Sequence, residues 1–255
     1  MQFAAFYIII IPLRLIAAVV KLADALDSKS SGSDTVSVRV RPAAPVPEMK
    51  PFGSFRAFFI NYAEGRKMQK NLEEMSLKEL WTLFPIQLCG PNPDWARQYS
   101  EEKEKLIGIL PNRLIRRISH IGITAVANIV AKPIVDILLE TDADLKSIKE
   151  ILTEKGDYLC MSVSEKRISL NKGYTVTGFA KEVFHLHLRK TGDHDELYFR
   201  DYLIAHADTA DEYERLKKDL VEKYKYNRDA YTEGKGEFVR RITAIAKATF
   251  GLRYN

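Results

Sequence analysis

The amino-acid sequence predicts an α/β (α+β) domain with a mixed sheet, flanking helices and a helical C-terminal subregion. Residues 118–140 carry two apolar runs separated by Gly122 and a segment of small residues. This is the pattern of a strand, a turn, a short helix and a second strand. Residues 184–189 alternate strictly between apolar and polar side chains, as a half-buried strand does. From Leu197 onwards, apolar residues recur at helical spacing.

The chain has 255 residues, enough for one large domain or two small ones. We interpret residues 1–26 as an apolar N-terminal extension. Its run at residues 3–20 is interrupted by a proline and an arginine, and it is short for a membrane span of about 20 residues. Residues 27–72, rich in serine, proline and basic side chains, indicate a linker. The folded domain is therefore predicted at residues 73–255.

Charge and cysteine content limit the classes of partner and the compartment. The formal charge is +5, but residues 1–71 hold 10 Lys and Arg against 5 Asp and Glu, which leaves 29 of each for the rest of the chain. A neutral domain argues against a nucleic-acid partner. Cys89 and Cys160 are far apart and lack metal-binding spacing. We therefore expect a reduced, cytoplasmic protein, with a membrane anchor through residues 3–20 as the alternative.

Helices and short strands alternate in the first half of the predicted domain. Ser76 and Glu79 form a capping box, which predicts a helix start, and Pro85 predicts its end. Gly156 predicts the end of a later amphipathic helix. The predicted elements are a helix at 77–84, a strand at 86–89, a helix from 94, a strand before Gly122, a short helix at 124–131, a strand at 134–139 and a helix at 142–155.

Strands are followed by helices in the second half. The predicted strands lie at 158–162, 167–170 and 184–189, with a turn at 171–173. In the last strand Phe184, Leu186 and Leu188 face one side, and His185, His187 and Arg189 face the other. The predicted helices lie at 197–206, after a second capping box at 209–212, and at 227–250, with Tyr224 and Ile245 among the residues expected to face inward.

The glycine turn and the strand after it predict a phosphate site. A helix that begins after Gly122 would offer free N–H groups to a phosphate. Asp136 lies in an apolar strand, where a carboxylate is costly to bury unless it is paired or binds a metal. Lys132 and His120 lie beside these elements in the sequence. The alternative for Asp136 is an ion pair with Lys132 or with an arginine, Arg200.

Several separate motifs then resemble one family. They are LKELWTLFPIQL, NPDW, HIGITAV, AKPIVDILLE, RISLNKGYT, FHLHLR, ELYFRDYLIAH and NRDAYTEGK, and they occur in this order over residues 75–254. Together they resemble the GrpB family. The resemblance implies a nucleotidyltransferase-like fold, in which strand acids bind two metals and the metals bind a nucleoside triphosphate.

The chain departs from that pattern at the acids and at the turn. Ile123 replaces the serine that follows the glycine, and Leu138 replaces the second acid of the D-x-D/E pair. His187 is then the expected substitute for the third acid. A site made of one aspartate and one histidine is poor for magnesium, whereas manganese or zinc tolerates the mixture better.

The resemblance leads to one set of expected site residues and two functional hypotheses. Asp136 and His187 are expected to act in catalysis and to hold a divalent metal, magnesium or manganese or else zinc. The expected phosphate-binding residues are His120, Gly122, Thr124, Lys132, Arg200 and Lys235. The first hypothesis is binding of a nucleotide or another phosphorylated ligand, with metal-dependent nucleotidyl transfer. The second is a non-catalytic accessory module linked to nucleotide or coenzyme A metabolism. The sequence leaves the oligomeric state open.

Overall fold

The computed structural model describes residues 70–254, so the interpretations of residues 1–69 lie outside the described part. A five-stranded mixed sheet carries six α-helices, which confirms the predicted fold class. The strands are β1 (Arg117–Ile121), β2 (Val135–Thr141), β3 (Leu159–Val163), β4 (Arg167–Thr175) and β5 (Gly178–Lys190). The helices are α1 (Leu77–Leu83), α2 (Asp94–Ile109), α3 (Leu145–Lys155), α4 (Asp195–Ala205), α5 (Ala207–Tyr224) and α6 (Arg228–Phe250). No helix within residues 70–254 is long and apolar enough to cross a membrane.

The sheet has the order β1-β2-β5-β4-β3. Strand β2 pairs parallel with β5 and antiparallel with β1, and β4 pairs antiparallel with β5 and β3. A parallel pair needs a long crossover, and α3, β3 and β4 supply it between β2 and β5. Strand β2, which carries Asp136, and strand β5, which carries His185 and His187, are therefore neighbours in the middle of the sheet.

Alternation along β2 and β5 gives the sheet two different faces. Ile137 and Leu186 are fully buried in the main hydrophobic core with residues of α2 and α3, such as Leu106 and Ile148. The intervening polar residues of the same strands point to the opposite face, which α4, α5 and α6 cover. The predicted assignment of Phe184, Leu186 and Leu188 to the apolar face of β5 is thus confirmed.

The capping features predicted at Ser76 and Gly156 lie at helix ends in the structure. The Ser76 side chain accepts from the Glu79 N–H at 3.3 Å, and Glu79 accepts from the Ser76 N–H at 2.7 Å, so the capping box of α1 is complete. Gly156 ends α3, as predicted. Asn227, predicted as the first residue of the last helix, is instead its N-cap and accepts from the Ala230 N–H. The predicted second capping box is wrong, because α5 begins at Ala207 and already includes residues 209–212.

Two predicted elements near the glycine turn do not form. The short helix at 124–131 is a single 3-10 turn, Ile123–Ala125, since Asn128 has a left-handed φ of 61° that a helix cannot continue through. The strand at 86–89 reduces to one bridge between Cys89 and Ala131. Ile86 instead donates its N–H to the Lys225 carbonyl. Tertiary contacts thus override both local patterns.

The predicted turn at 171–173 is also wrong, because β4 continues to Thr175. Gly173 lies at a register shift between β4 and β5 with φ +90°, and an added Cβ would meet the Glu182 carbonyl. A glycine in a strand pattern can mark such an irregularity as well as a turn. Tyr224 and Ile245, expected to face inward, are 36% and 38% exposed.

Candidate functional site

A cavity of about 620 Å³ lies between the polar face of the sheet and helices α4, α5 and α6. Its floor includes Asp136 of β2 together with His185 and His187 of β5. The glycine turn forms one wall, and α6 supplies residues from Tyr231 to Lys247 on the opposite side. The 16 residue-to-residue steps from Tyr231 to Lys247 rise about 24 Å along the helix, so the cavity is long enough for an extended small molecule.

Asp136 is held by two imidazoles at the floor of the cavity. His185 Nδ1 lies 3.4 Å and His187 Nε2 lies 3.3 Å from the same carboxylate oxygen, Oδ1. Burial opposes ionisation of Asp136, but the hydrogen bonds from His185 and His187 lower its carboxyl pKa below the ordinary value. The expected alternatives, ion pairs of Asp136 with Lys132 or Arg200, do not form among the described residues.

Two arginines assign the direction of these hydrogen bonds. Arg189 Nη2 lies 3.1 Å from His187 Nδ1, and because a guanidinium only donates, Nδ1 must accept and Nε2 carries the proton toward Asp136. On the other side Arg228 donates to the Tyr174 hydroxyl at 3.5 Å. That hydroxyl lies 2.8 Å from His185 Nε2 and can donate a hydrogen bond to this nitrogen, which leaves Nδ1–H facing Asp136.

One chain of hydrogen bonds runs from Arg189 through His187 to Asp136. A second runs from Arg228 through Tyr174 and His185 to the same carboxylate. Burial lowers the pKa of His185, although Asp136 opposes the shift, so this imidazole is neutral at pH 7. Both imidazoles therefore present N–H groups, and not lone pairs, to Asp136. The carboxylate is the acceptor on which the network ends.

Gly122 brings the turn directly against Asp136. Its φ of +67° and ψ of −171° belong to a region that side-chain-bearing residues avoid. A Cβ at this position would lie 2.9 Å from Asp136 Cγ and closer still to Oδ2. Glycine is thus required both by the backbone conformation and by the close approach of the carboxylate.

A group of lysines, here called the lysine cluster and made of Lys132, Lys217 and Lys235, lines the cavity near Tyr231. Lys132 Nζ lies 5.5 Å and Lys235 Nζ lies 4.8 Å from the Tyr231 ring centroid. Lys217 is 3% exposed and donates to the Val130 carbonyl. Burial lowers the Lys132 pKa well below its ordinary value, and the charges of Lys235, Arg228 and Lys217 lower it further.

The lysine cluster predicts a stability that rises with pH. Burial lowers the Lys217 pKa to about 7, with Lys235 adding to the shift and Glu214 opposing it. Between pH 7 and the unfolded value near 10.4, the unfolded chain binds more protons, so the free energy of unfolding increases. We expect a rise of about 1–3 kcal/mol from pH 7 to 9 in urea denaturation, reduced in Lys217→Met. A fall in stability over this range would contradict the assignment.

Six of the eight expected site residues line the cavity: Gly122, Thr124, Lys132, Asp136, His187 and Lys235. The Thr124 hydroxyl donates to the Ile134 carbonyl at 3.2 Å and lies 3.0 Å from His120 Nε2. The predicted helix N-terminus after Gly122 does not form, because the segment is a 3-10 turn of three residues with too few aligned peptides.

His120 and Arg200 do not line the cavity. His120 lies on the opposite face of the sheet from its neighbour Ile121, stacks on Tyr99 at 4.8 Å, and has its pKa lowered to about 4 by burial. Arg200 binds the neighbouring Asp201 and donates to the His120 carbonyl at 2.7 Å. Both residues therefore position the polypeptide around the site and do not reach its ligand space.

Sequence reasoning missed two buried cationic residues near the site, Lys217 and Arg228. Arg228 is 2% exposed, on the same helical face as Tyr231 and three residues before it. Lys217 is four residues after Tyr213 and lies over its ring at 5.1 Å. Helical spacing could have identified both residues, because residues three or four positions apart lie on the same face of a helix.

The residues present do not fit the divalent metal that the family resemblance implies. Leu138, at the position of the second acid, is fully buried in an apolar cluster with Ile121 and Leu197. The His187 lone pair already accepts from Arg189, and its N–H points at Asp136. Within residues 70–254, no three His, Cys, Asp or Glu side chains form a group suited to a metal. We therefore assign no metal-dependent step to Asp136 or His187.

Comparisons of the sequence with known proteins point to one family. The family model of the GrpB protein matches residues 85–244. The Glutamate-rich protein GrpB of Alkalihalophilus pseudofirmus is 34% identical over 162 residues, which cover 61% of this chain and 92% of that protein. The UPF0157 protein YqkA of Bacillus subtilis is 30% identical over 68% of this chain, which spans only 50% of that relative's length.

A solved structure of a GrpB protein is also similar to this chain. The crystal structure of the conserved protein GrpB from Enterococcus faecalis superposes with a TM-score of 0.57 at 27% identity. The superposition covers 64% of this chain and 99% of that one. The chain therefore belongs to the GrpB family.

Proposed function

We propose that this protein binds a small phosphorylated ligand, such as a nucleotide, in the cavity between the sheet and helices α4 to α6. The observation that carries the proposal is Lys132. Its ammonium group faces the cavity and forms no ion pair or hydrogen bond within the described residues. Burial disfavours its charged form and lowers its pKa, and an anion in the cavity would offset that cost.

The surroundings of Lys132 favour a phosphate as that anion. Lys217 and Lys235 line the same part of the cavity, so a phosphate there would contact more than one cation. Charge-assisted hydrogen bonds to phosphate are shorter and stronger than neutral ones. The backbone of the Gly122 turn borders the same space and, without a side chain at Gly122, allows a ligand to approach closely.

Asp136 supplies the complementary group in this proposal. Its carboxylate is ionised at pH 7 and lies on the cavity floor. It would accept a hydrogen bond from a hydroxyl or amino group of the ligand, such as a ribose hydroxyl. Binding is favoured over metal-dependent nucleotidyl transfer, because Leu138 and the engaged imidazoles leave no second metal ligand beside Asp136.

The test compares two neighbouring cationic sites in the full chain. ATP, ADP and AMP are titrated by calorimetry against the wild type, Lys132→Met and Lys218→Met. Lys218 is the matched control, because it pairs with Glu214 at 2.7 Å on the exposed side of α5. Loss of one charge-assisted bond, about 1.5–3 kcal/mol, should weaken binding by Lys132→Met at least about tenfold. We expect Lys218→Met to bind as the wild type does.

Thermal unfolding provides a second measurement of the same proposal. A ligand at 100 times its Kd adds about 2.7 kcal/mol to stability, which at this size raises Tm by roughly 5–10 °C. Equal nucleotide affinities of the wild type and Lys132→Met would contradict the proposed site. The absence of binding by all three nucleotides would contradict the nucleotide assignment.

A further inference from the structure

Asn171 is a buried polar residue on the cavity floor that the hydrogen bonds around Asp136 do not include. Its neighbours in β4 point to the other face of the sheet, because Leu170 lies in the main core and Lys172 donates to a carboxylate of α2. Alternation therefore directs the Asn171 side chain into the cavity, which it lines.

The amide of Asn171 has no hydrogen-bond partner among residues 70–254, although the residue is only 6% exposed. Most buried side-chain polar atoms in native proteins do have such a partner. A buried amide that borders a cavity and makes no bond to the polypeptide is available to a group that enters the cavity. Asn171 is therefore a candidate ligand contact.

The strand register places Asn171 in one row with Asp136 and His185. Asn171 is the partner of His185 in the antiparallel pair of β4 and β5, and Asp136 is its partner in the parallel pair of β2 and β5. Side chains of register partners lie on the same face of a sheet. Two strand spacings of roughly 4.8 Å each put about 10 Å between the Cα atoms of Asp136 and Asn171. The two side chains can therefore contact different parts of one small molecule.

The histidines beside this pair have no free ring nitrogen for a ligand. His185 Nδ1 faces Asp136, and its Nε2 lies 2.8 Å from the Tyr174 hydroxyl. His187 Nε2 faces the same carboxylate, and its Nδ1 accepts from an arginine. Of these polar side chains on the floor, Asn171 is the one whose donors and acceptor both stay available.

The chemistry of an amide indicates which part of a nucleotide Asn171 would contact. An asparagine side chain presents an N–H donor beside a carbonyl acceptor. The edge of a nucleobase presents the complementary pair, as in the two bonds that asparagine forms with N6 and N7 of adenine. The proposed function assigns a ribose hydroxyl to Asp136, so the part of the ligand that reaches Asn171 is the group attached to the sugar.

We infer that Asn171 determines base specificity, by forming paired hydrogen bonds between its amide and the edge of a nucleobase. This inference rests on the proposed function and adds the part of the ligand that is recognised by sequence of donors and acceptors. In this arrangement Lys132 contacts the phosphate, Asp136 the sugar and Asn171 the base.

The experiment titrates AMP, GMP, CMP, UMP and ribose 5-phosphate into the full chain by calorimetry. Ribose 5-phosphate keeps the sugar and the phosphate and lacks the base. We expect one of the four nucleotides to bind at least about tenfold more tightly than ribose 5-phosphate, because a paired contact to a base edge provides discrimination of this order. Equal affinities for all five compounds would overturn the inference.

Asn171→Leu removes the amide with little change in side-chain size. We expect the affinity for the preferred nucleotide to fall at least about tenfold, to the level of ribose 5-phosphate, whose own affinity changes less than about threefold. Lys132→Met should weaken both compounds by the same factor, since both carry the phosphate. Equal losses for the two compounds in Asn171→Leu would overturn the assignment of Asn171 to the base.

A stability measurement separates recognition from a structural role. Because the Asn171 amide makes no bond within the described residues, the unliganded Asn171→Leu protein should unfold within about 3 °C of the wild type. If this variant does not fold, Asn171→Thr, which suits a strand and cannot form the pair of bonds, should show the same selective loss. Asn112→Leu, at an exposed position outside the cavity, is the control and should change no affinity.

The same titrations distinguish failure of the inference from failure of the proposed function. If ribose 5-phosphate and the nucleotides bind equally and all depend on Lys132, the base assignment is overturned while the proposed phosphate site stands. If none of the five compounds binds, both are overturned. A preferred nucleotide whose advantage over ribose 5-phosphate disappears in Asn171→Leu supports both.

Discussion

Leu138→Asp is expected to lower the free energy of unfolding by more than about 3 kcal/mol, because it would bury an unpaired carboxylate in an apolar environment. Leu138 is fully buried, and its cluster with Ile121 and Leu197 offers no cation or hydrogen-bond donor from those side chains. The substitution restores the acid that the resemblance implies, two residues after Asp136. Urea denaturation measures the loss.

The control is Leu138→Met, which conserves volume and hydrophobicity. It should cost less than about 1.5 kcal/mol. A Leu138→Asp protein as stable as the wild type, with manganese binding detected by calorimetry, would show that the site accommodates a second acid. That result would contradict the account of Leu138 as a member of an apolar cluster that cannot hold a charge.

Gly122→Ala is expected to have the second-largest effect, a loss of about 2–4 kcal/mol of stability together with loss of nucleotide binding. The backbone conformation, with φ +67°, is strained for alanine. The new Cβ would also displace the Asp136 carboxylate, whose Cγ would lie 2.9 Å away. Denaturation and calorimetry on the same preparation measure the two effects.

Gly108→Ala is the matched control for this glycine. Gly108 lies in the last turn of α2, and an added Cβ there has no atom within 4 Å. Alanine is the better helix former, so we expect a gain of up to about 1 kcal/mol and unchanged binding. A Gly122→Ala protein that behaves like Gly108→Ala would contradict the close approach of Asp136 to the turn.

The strands at the centre of the sheet were predictable because their pattern is local and repeats every two residues. The alternation in residues 184–189 was enough to place His185 and His187 on the face opposite Leu186. Helix ends at Ser76 and Gly156 were predictable for a similar reason, since caps act within three or four residues.

Elements that depend on distant contacts were not predictable. Val126 and Ile129 follow the glycine turn in a segment of small and apolar residues that favours a helix. In the fold they fill a hydrophobic cluster with residues of α4 to α6, such as Phe199, and the backbone leaves the helical region at Asn128. The gain from this packing decides the conformation, and no local pattern contains it.

The same difference between local patterns and distant contacts applies to the candidate site. Gly122, Lys132 and Asp136 lie close together in the sequence, so one short motif identified them. The directions of the hydrogen bonds at Asp136 depend on Arg189 and Arg228, which are 53 and 92 residues further along the chain. The role of the histidines as donors to a carboxylate, in place of metal ligands, therefore required the tertiary structure.

The most direct test of the proposed function is a crystal structure of the full chain grown with ADP in EDTA. The account predicts phosphate oxygens within hydrogen-bonding distance, about 2.7–3.2 Å, of Lys132 Nζ, on the cavity side of the Gly122 turn. An ADP molecule ordered elsewhere on the protein, or a cavity without ADP at concentrations that saturate binding in solution, would contradict it.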